Sequence, residues 1–257
     1  MSHCSADPKE RFSSRVEAYV KARPRYPRAV IDHLHEAVGF DPSWRVVDVG
    51  SGTGISSALF LANGNAVTGV EPNAAMRRAA EASLGGFARF TSVAGSAETT
   101  TLPDRCANLV VAAQAFHWFD IEQTRRELSR LLRPGGQALL MWNDRKLNGS
   151  PFLEAYEQLL IEFGTDYLKV RHNNVSDAQL RAFFGGKYRS ATLPNAQHLD
   201  YAGLAARLLS SSYTPARGDA RHEPMLLALR ALYDRHNEAG RVTIEYRTEL
   251  FYGALGA

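Results

Sequence analysis

Residues 46–54 read VVDVGSGTG: an apolar run, one carboxylate, then Gly50, Gly52 and Gly54 at every second position. A strand running straight into a glycine-rich turn lets backbone lie close to a ligand. Dinucleotides, phosphates and sulfonium nucleotides all favour such turns. The dinucleotide spacing G-x-G-x-x-G uses its third glycine for close helix–strand packing. Here that last position is Ile55. The phosphate loop G-x-x-x-x-G-K-[ST] is absent altogether. The following strand ends in VTGVEPN, which places Glu71 at its carboxyl edge, where a carboxylate can accept both hydroxyls of a ribose. A tight strand-to-helix turn accounts for the glycines by themselves. Turn and acid together point to a nucleoside held without a demand for phosphate.

Outward from this turn, residues 46–142 alternate apolar strands with amphipathic helices. Strands are predicted over 45–49, 66–70, 90–94, 107–112 and 137–142, several of them continuous apolar runs as in a parallel sheet covered on both faces. Helices are predicted over 55–62, 74–84 and 121–133, the last stopped by Pro134-Gly135-Gly136. Such alternation predicts a doubly wound α/β sheet. After Trp142 the rhythm changes. Residues 143–175 form a helix-containing insertion, and 176–184 a helix capped by Ser176 with Gln179 three residues on. A strand follows near 189–199, then two helices within 201–239 joined by SSSYTPARGDARHEP, and a final alternating strand over 241–251. With no internal repeat and no low-complexity linker, residues 1–257 are expected to be one domain with helical insertions.

Composition bounds the function. The chain is 45% hydrophobic and 22% charged, ordinary for a soluble globular protein. A net charge of +3 does not argue for nucleic acid. Basic residues do cluster over 11–28, with Arg11, Arg15, Lys21, Arg23, Arg25 and Arg28 against Glu17 alone. Two cysteines, Cys4 and Cys106, are too few for a disulfide framework and point to a reducing compartment. The stretch MSHCSADPKE has no apolar leader character, and no run approaches membrane-spanning length, so the expected setting is cytoplasmic with no membrane partner. His198, His222 and His236 lack metal-ligand spacing, and no metal is assigned.

The ordered motifs VVDVGSGTG, VTGVEPN, GSAETTTLPD, ANLVVAAQAFHWFD and LLRPGGQALL resemble those of class I S-adenosylmethionine-dependent methyltransferases, over about residues 12–142. RPRYP, HWFD and EYRT–ELFYG are similar to the methyltransferase type 11 group that includes trans-aconitate methyltransferases. The resemblance implies a Rossmann-like, mostly parallel seven-stranded sheet with an antiparallel last strand. It further implies a cofactor-binding core over 46–142 and lid or substrate-side segments over 1–40, 143–175 and 201–239. By position it assigns Asp48, Gly50, Ser51 and Gly52 to the methionine moiety and Glu71 to the ribose. Pro72, Asn73 and Met76 would border ribose and adenine, and Ala97 and Glu98 the adenine edge. Gln114 and Ala115 would face the methyl group, and Tyr19 and Arg23 would fold over the cofactor. Ser96 stands where many relatives carry an acid.

Methyl transfer from S-adenosylmethionine to yield S-adenosylhomocysteine needs alignment and exclusion of water, and a base only for some acceptors. His117 is the base candidate; its alternative is packing with Trp118 and Phe116, which are themselves candidates for the pocket wall. Tyr213 can line an acceptor pocket or simply close a loop. Arginines in the N-terminal segment suit a carboxylate acceptor. The expected protein is thus a methyltransferase of a small molecule, with a carboxylate as the candidate acceptor, acting as monomer or homodimer. An RNA (tRNA) methyltransferase and a non-catalytic nucleoside-binding protein are the alternatives, the first opposed by Gln114-Ala115-Phe116 standing where amino-directed nucleic-acid enzymes place Asn-Pro-Pro-aromatic.

Overall fold

Seven strands form one sheet: β1 (Arg45–Val49), β2 (Ala66–Val70), β3 (Phe90–Val93), β4 (Ala107–Ala113), β5 (Leu132–Arg145), β6 (Arg189–Leu199) and β7 (Val242–Gly253). Their spatial order is β3-β2-β1-β4-β5-β7-β6. Strands β1 to β5 run parallel, whereas β7 is antiparallel to both β5 and β6. The computed structural model describes residues 22–167 and 175–255. The helices among them are α1 (Ala29–Val38), α2 (Ile55–Ala62), α3 (Ala74–Leu84), α4 (Ile121–Leu131), α5 (Pro151–Phe163), α6 (Asp177–Phe184), α7 (Tyr201–Leu209) and α8 (His222–His236).

The predicted α/β architecture is the observed one, and the reason is local. Val46, Val47 and Val49 are all buried because helices cover both faces of β1. Caps then fix where helices begin. Asn73 Oδ1 accepts from the N–H groups of Ala75 and Met76 (2.9 and 3.1 Å), starting α3 immediately after Glu71. Asp120 caps α4 through Gln123 N–H at 2.9 Å, and Ser176 and Gln179 form the predicted capping box at α6.

One boundary differs. The helix predicted over 121–133 ends at Leu131, and Leu132 already pairs with Ala107. Pairing then resumes at Leu109 with Gln137, so residues 133–136 bulge out of the strand where a turn outside it was expected. Gly135, at φ +80°, supplies the left-handed backbone this bulge needs.

The sheet separates two apolar clusters. Tyr26, Val30, Leu34, Phe40 and Phe60 pack on one face; Phe116, Leu128, Leu131, Phe183 and Phe184 pack on the other. A third cluster joins α5, α7 and α8 to the start of β7 through Leu153, Tyr156, Leu204, Leu229 and Tyr246. The connections leave β1 and β4 in opposite directions, creating a crevice at their carboxyl ends, the usual ligand position in open α/β sheets.

Candidate functional site

That crevice is a cleft of about 490 Å³, within the range of small-molecule sites. Gly50 and Gly52 form its floor, Glu71, Pro72, Asn73 and Met76 one side, Ser96, Ala97 and Glu98 a second, and Gln114, Ala115, Trp118 and Phe119 a third. Asp120 and Gln123 close the far end.

The turn is built for closeness. Gly50 has φ +65°, and a Cβ there would stand 2.7 Å from that of Ala115. Gly50 and Ser51 both donate their N–H to the carbonyl of Val70, at 2.8 and 3.2 Å, tying the turn to β2. Gly54 does what the missing third glycine of the dinucleotide spacing does elsewhere: a Cβ on it would lie 2.5 Å from Leu84 Cδ1. Close packing against α3 is thus achieved one residue earlier.

Glu71 is fixed across the cleft. Its Oε2 accepts from Gly52 N–H at 3.0 Å and its Oε1 from Asn73 N–H at 2.9 Å. Burial raises its pKa, and the two backbone donors oppose that rise. Two oxygens oriented in this way retain lone pairs for a ribose diol. Glu98 lies at the opposite wall, its Oε1 accepting from Asp120 N–H at 3.1 Å. Gln114 sits at the end of β4 with φ +56°, a strained conformation for a side-chain-bearing residue. Its N–H donates to the Met141 carbonyl at 3.0 Å and its Nε2 to the Asn143 carbonyl at 3.1 Å.

Asp48 lies beneath the turn, fully buried, and does not line the cleft. Its Oδ2 accepts from the hydroxyls of Ser56 and Ser57, at 2.6 and 2.7 Å, whereas Oδ1 has no hydrogen-bond partner among the described residues. Burial lifts this carboxyl from 3.8 to about 6, the serine bonds opposing and nearby Glu71 adding to the rise. Between about pH 4 and 6 the folded protein therefore holds a proton that the unfolded chain has lost, and stability falls as pH rises through that window, by about 3 kcal/mol in all. Asp48→Asn is expected to flatten this part of the profile. Urea midpoints measured across that window check it, and a parent-like slope in the variant would assign the titration to another group.

The predicted site residues divide clearly. The structure brings Gly50, Gly52, Glu71, Pro72, Met76, Ala97, Glu98, Gln114 and Trp118 to one cleft. Ser51 is buried beside it, with its Oγ near Gly69. Phe116 is a correction: it is 1% exposed, turned away from the cleft into the core, with its ring edge-on to Phe183 at 4.8 Å. His117 is exposed, its ring tilted by 46° against that of Trp118 at 4.7 Å, outside the cleft lining. Tyr213 packs against Tyr167 at 5.0 Å in the helical flank. Arg23 donates to the Ser210 carbonyl at 3.0 Å and does not line the cleft. Tyr19 lies outside the described residues. Phe119, Asp120 and Gln123 were not anticipated as wall residues; the signal for Asp120 was its N-cap position before an amphipathic helix.

The described part of the N-terminal segment straps the same sheet edge. Asn195 Nδ2 donates to the Arg25 carbonyl at 2.8 Å and Gln197 Nε2 to that of Ala22 at 3.1 Å. Asn143 Nδ2 reaches the Arg25 carbonyl at 3.3 Å. No cluster of metal-ligating side chains occurs among the described residues, and no helix among them is long and apolar enough to cross a membrane.

Residues 47–140 match a family model described as a methyltransferase domain. An uncharacterized methyltransferase of Mycobacterium tuberculosis is 37% identical over 134 residues, 52% of each chain. An uncharacterized methyltransferase-like protein of Schizosaccharomyces pombe is 29% identical over 156 residues, 60% of this chain and 59% of its own. The chain therefore spans about half the length of the curated relatives it matches. Among solved structures, a provisionally assigned type II methyltransferase from Anaeromyxobacter dehalogenans aligns over 91% of this chain and 98% of its own, at 21% identity and a TM-score of 0.67. This last likeness is one of fold.

Proposed function

We infer, from a chain whose residues 47–140 match a family model described as a methyltransferase domain, that the protein is a class I S-adenosylmethionine-dependent methyltransferase, transferring a methyl group from that nucleoside to a small-molecule acceptor. The single observation that carries this reading is Glu71, clamped by the N–H groups of Gly52 and Asn73 at the mouth of the glycine turn. A carboxylate aimed into the cleft without a phosphate-binding lysine fits a nucleoside with no pyrophosphate.

When bound, S-adenosylmethionine supplies a methyl on a sulfonium, displaced in line with loss of a neutral thioether. The chain does the rest by positioning. Glu71 would accept the ribose hydroxyls, Pro72 and Met76 would flank the sugar and base, and Ala97 and Glu98 would border the adenine. Gly50 and Gly52 let the methionine portion approach backbone, and Gln114, locked to β5, would face the methyl group. Trp118, 45% exposed on the rim, is placed to exclude water. A carboxylate acceptor needs no base, and His117 lies outside the cleft, so the reading relies on proximity and alignment. We take residues 1–257 as one unit with the acceptor approaching from the α5, α7 and α8 side, and the cytoplasm as its setting.

An assay of S-adenosylhomocysteine release against small carboxylic acids, phenols and amines tests this. Turnover with at least one small molecule is expected, and activity confined to tRNA or protein would overturn it.

A further inference from the structure

The wall made by Ser96, Ala97 and Glu98 belongs to the connection between β3 and β4, residues 94–106, which has no helix or strand of its own. Ser96 and Thr99 exchange backbone hydrogen bonds at 3.1 and 3.3 Å. The loop then folds back on its start: a Cβ on Gly95 would stand 3.0 Å from the Thr100 carbonyl oxygen. Thr101 at φ +64° and Arg105 at φ +50° are left-handed, a conformation that side-chain-bearing residues hold only where their surroundings enforce it.

Helix α4 supplies that enforcement. The N–H of its cap, Asp120, donates to Glu98 Oε1 at 3.1 Å. Near its far end, Arg130 Nη1 donates to Asp104 Oδ1 at 2.5 Å and the Arg130 carbonyl accepts from Arg105 N–H at 2.9 Å. Between them, Glu127 Oε1 accepts both the N–H and the hydroxyl of Thr100, at 3.0 and 2.5 Å. Thr100 is fully buried, so losing Glu127 would strip two donors of their partner where water does not reach. Arg130 grips the carboxylate with Nε and Nη2 at 2.9 and 2.7 Å and holds its pKa down to about 2, so it is ionised at neutral pH. Asp120 and Glu127 stand two turns apart on one helix face, and Asp120 and Gln123 of that face line the cleft.

Resting on the methyltransferase reading, we propose that Glu127 is a positioning residue for the methyl donor. Through Thr100 it holds the loop on its strained path and so keeps the Ser96–Glu98 wall in its binding shape. Glu127 itself does not line the cleft. Without the tether only a fraction of molecules present the wall, and the apparent affinity falls by that fraction.

Calorimetric titration well below the melting temperature reads the effect. Glu127→Ala is expected to weaken S-adenosylhomocysteine binding by about tenfold. It is also expected to speed hydrogen exchange at the amides of residues 96–105 in the free protein. Glu127→Gln keeps an oxygen for Thr100, and Arg130, whose side chain is 34% exposed, keeps Asp104 and can turn to solvent. The glutamine variant is therefore expected to lose melting temperature yet stay within about twofold of the parent affinity. That split separates positioning from a general loss of stability. Thr100→Val removes only the hydroxyl donor, is expected to weaken binding by about threefold, and decides the matter if Glu127→Ala does not fold. Parent-like affinity in Glu127→Ala, or in Thr100→Val should the alanine variant not fold, would overturn the assignment, as would equal losses in the alanine and glutamine variants. A parent protein that does not bind S-adenosylhomocysteine would count against the methyltransferase reading instead. Exchange over residues 96–105, read without ligand, would then still decide whether Glu127 holds the loop.

Discussion

Glu71→Gln is expected to weaken binding of S-adenosylhomocysteine by about 100-fold. The substitution keeps the side chain's size but removes the charge from two oxygens that would each receive a ribose hydroxyl. Charge-assisted hydrogen bonds of this kind contribute about 1.5–3 kcal/mol each, and about 3 kcal/mol in total corresponds to two decades in affinity. The amide also turns an NH2 toward Gly52 N–H or Asn73 N–H, both of which now donate to Glu71, so the turn loses one of its ties. Calorimetric titration of parent and variant checks the effect, with the melting temperature confirming that the variant is folded. An unchanged affinity would remove Glu71 from the ribose site.

Phe116→Ala is expected to cost about 3–5 kcal/mol of stability, the range for deleting a fully buried aromatic. The ring is edge-on to Phe183 at 4.8 Å, to Phe119 at 6.2 Å and to Trp142 at 6.4 Å. It therefore joins β5 to α6 and to the short helix after β4. For a chain of this size the loss corresponds to a fall in melting temperature of about 10 °C. The same variant separates packing from substrate contact. Below its melting point it is expected to keep the parent KM for the acceptor. A raised KM with parent-like stability would restore Phe116 to the pocket wall.

The fate of Phe116 shows where sequence reading loses its grip. Strands β1, β2 and β6 are recovered to the residue, because runs such as RVVDV and the alternation before β7 leave few other solutions. The glycine-turn side of the cleft was also legible. Gly50, Gly52, Glu71, Ala97 and Gln114 each follow directly from the end of a strand, so order along the chain dictates position in space. Phe116 sits at such an end as well, but which way an aromatic ring turns in a one-turn helix is decided by α6, some sixty residues later. Asp48 likewise reads as a ligand contact until Ser56 and Ser57 on the following helix are seen to hold it under the turn. The buried arginine network beside Tyr246 was illegible for a stronger form of the same reason. Arg145, Glu157, Arg207 and Tyr246 come from four separate elements, and an arginine on an amphipathic helix ordinarily reads as solvated. Only the packing of α5 and α7 over β7 buries it.

The central claim is that the glycine turn and Glu71 hold a methyl-donor nucleoside and not a pyrophosphate. Titration of the parent protein with S-adenosylhomocysteine and, separately, with NAD tests it most directly. Saturable one-site binding of S-adenosylhomocysteine, with no heat from NAD, is the predicted result. Binding of NAD with none of S-adenosylhomocysteine would contradict it.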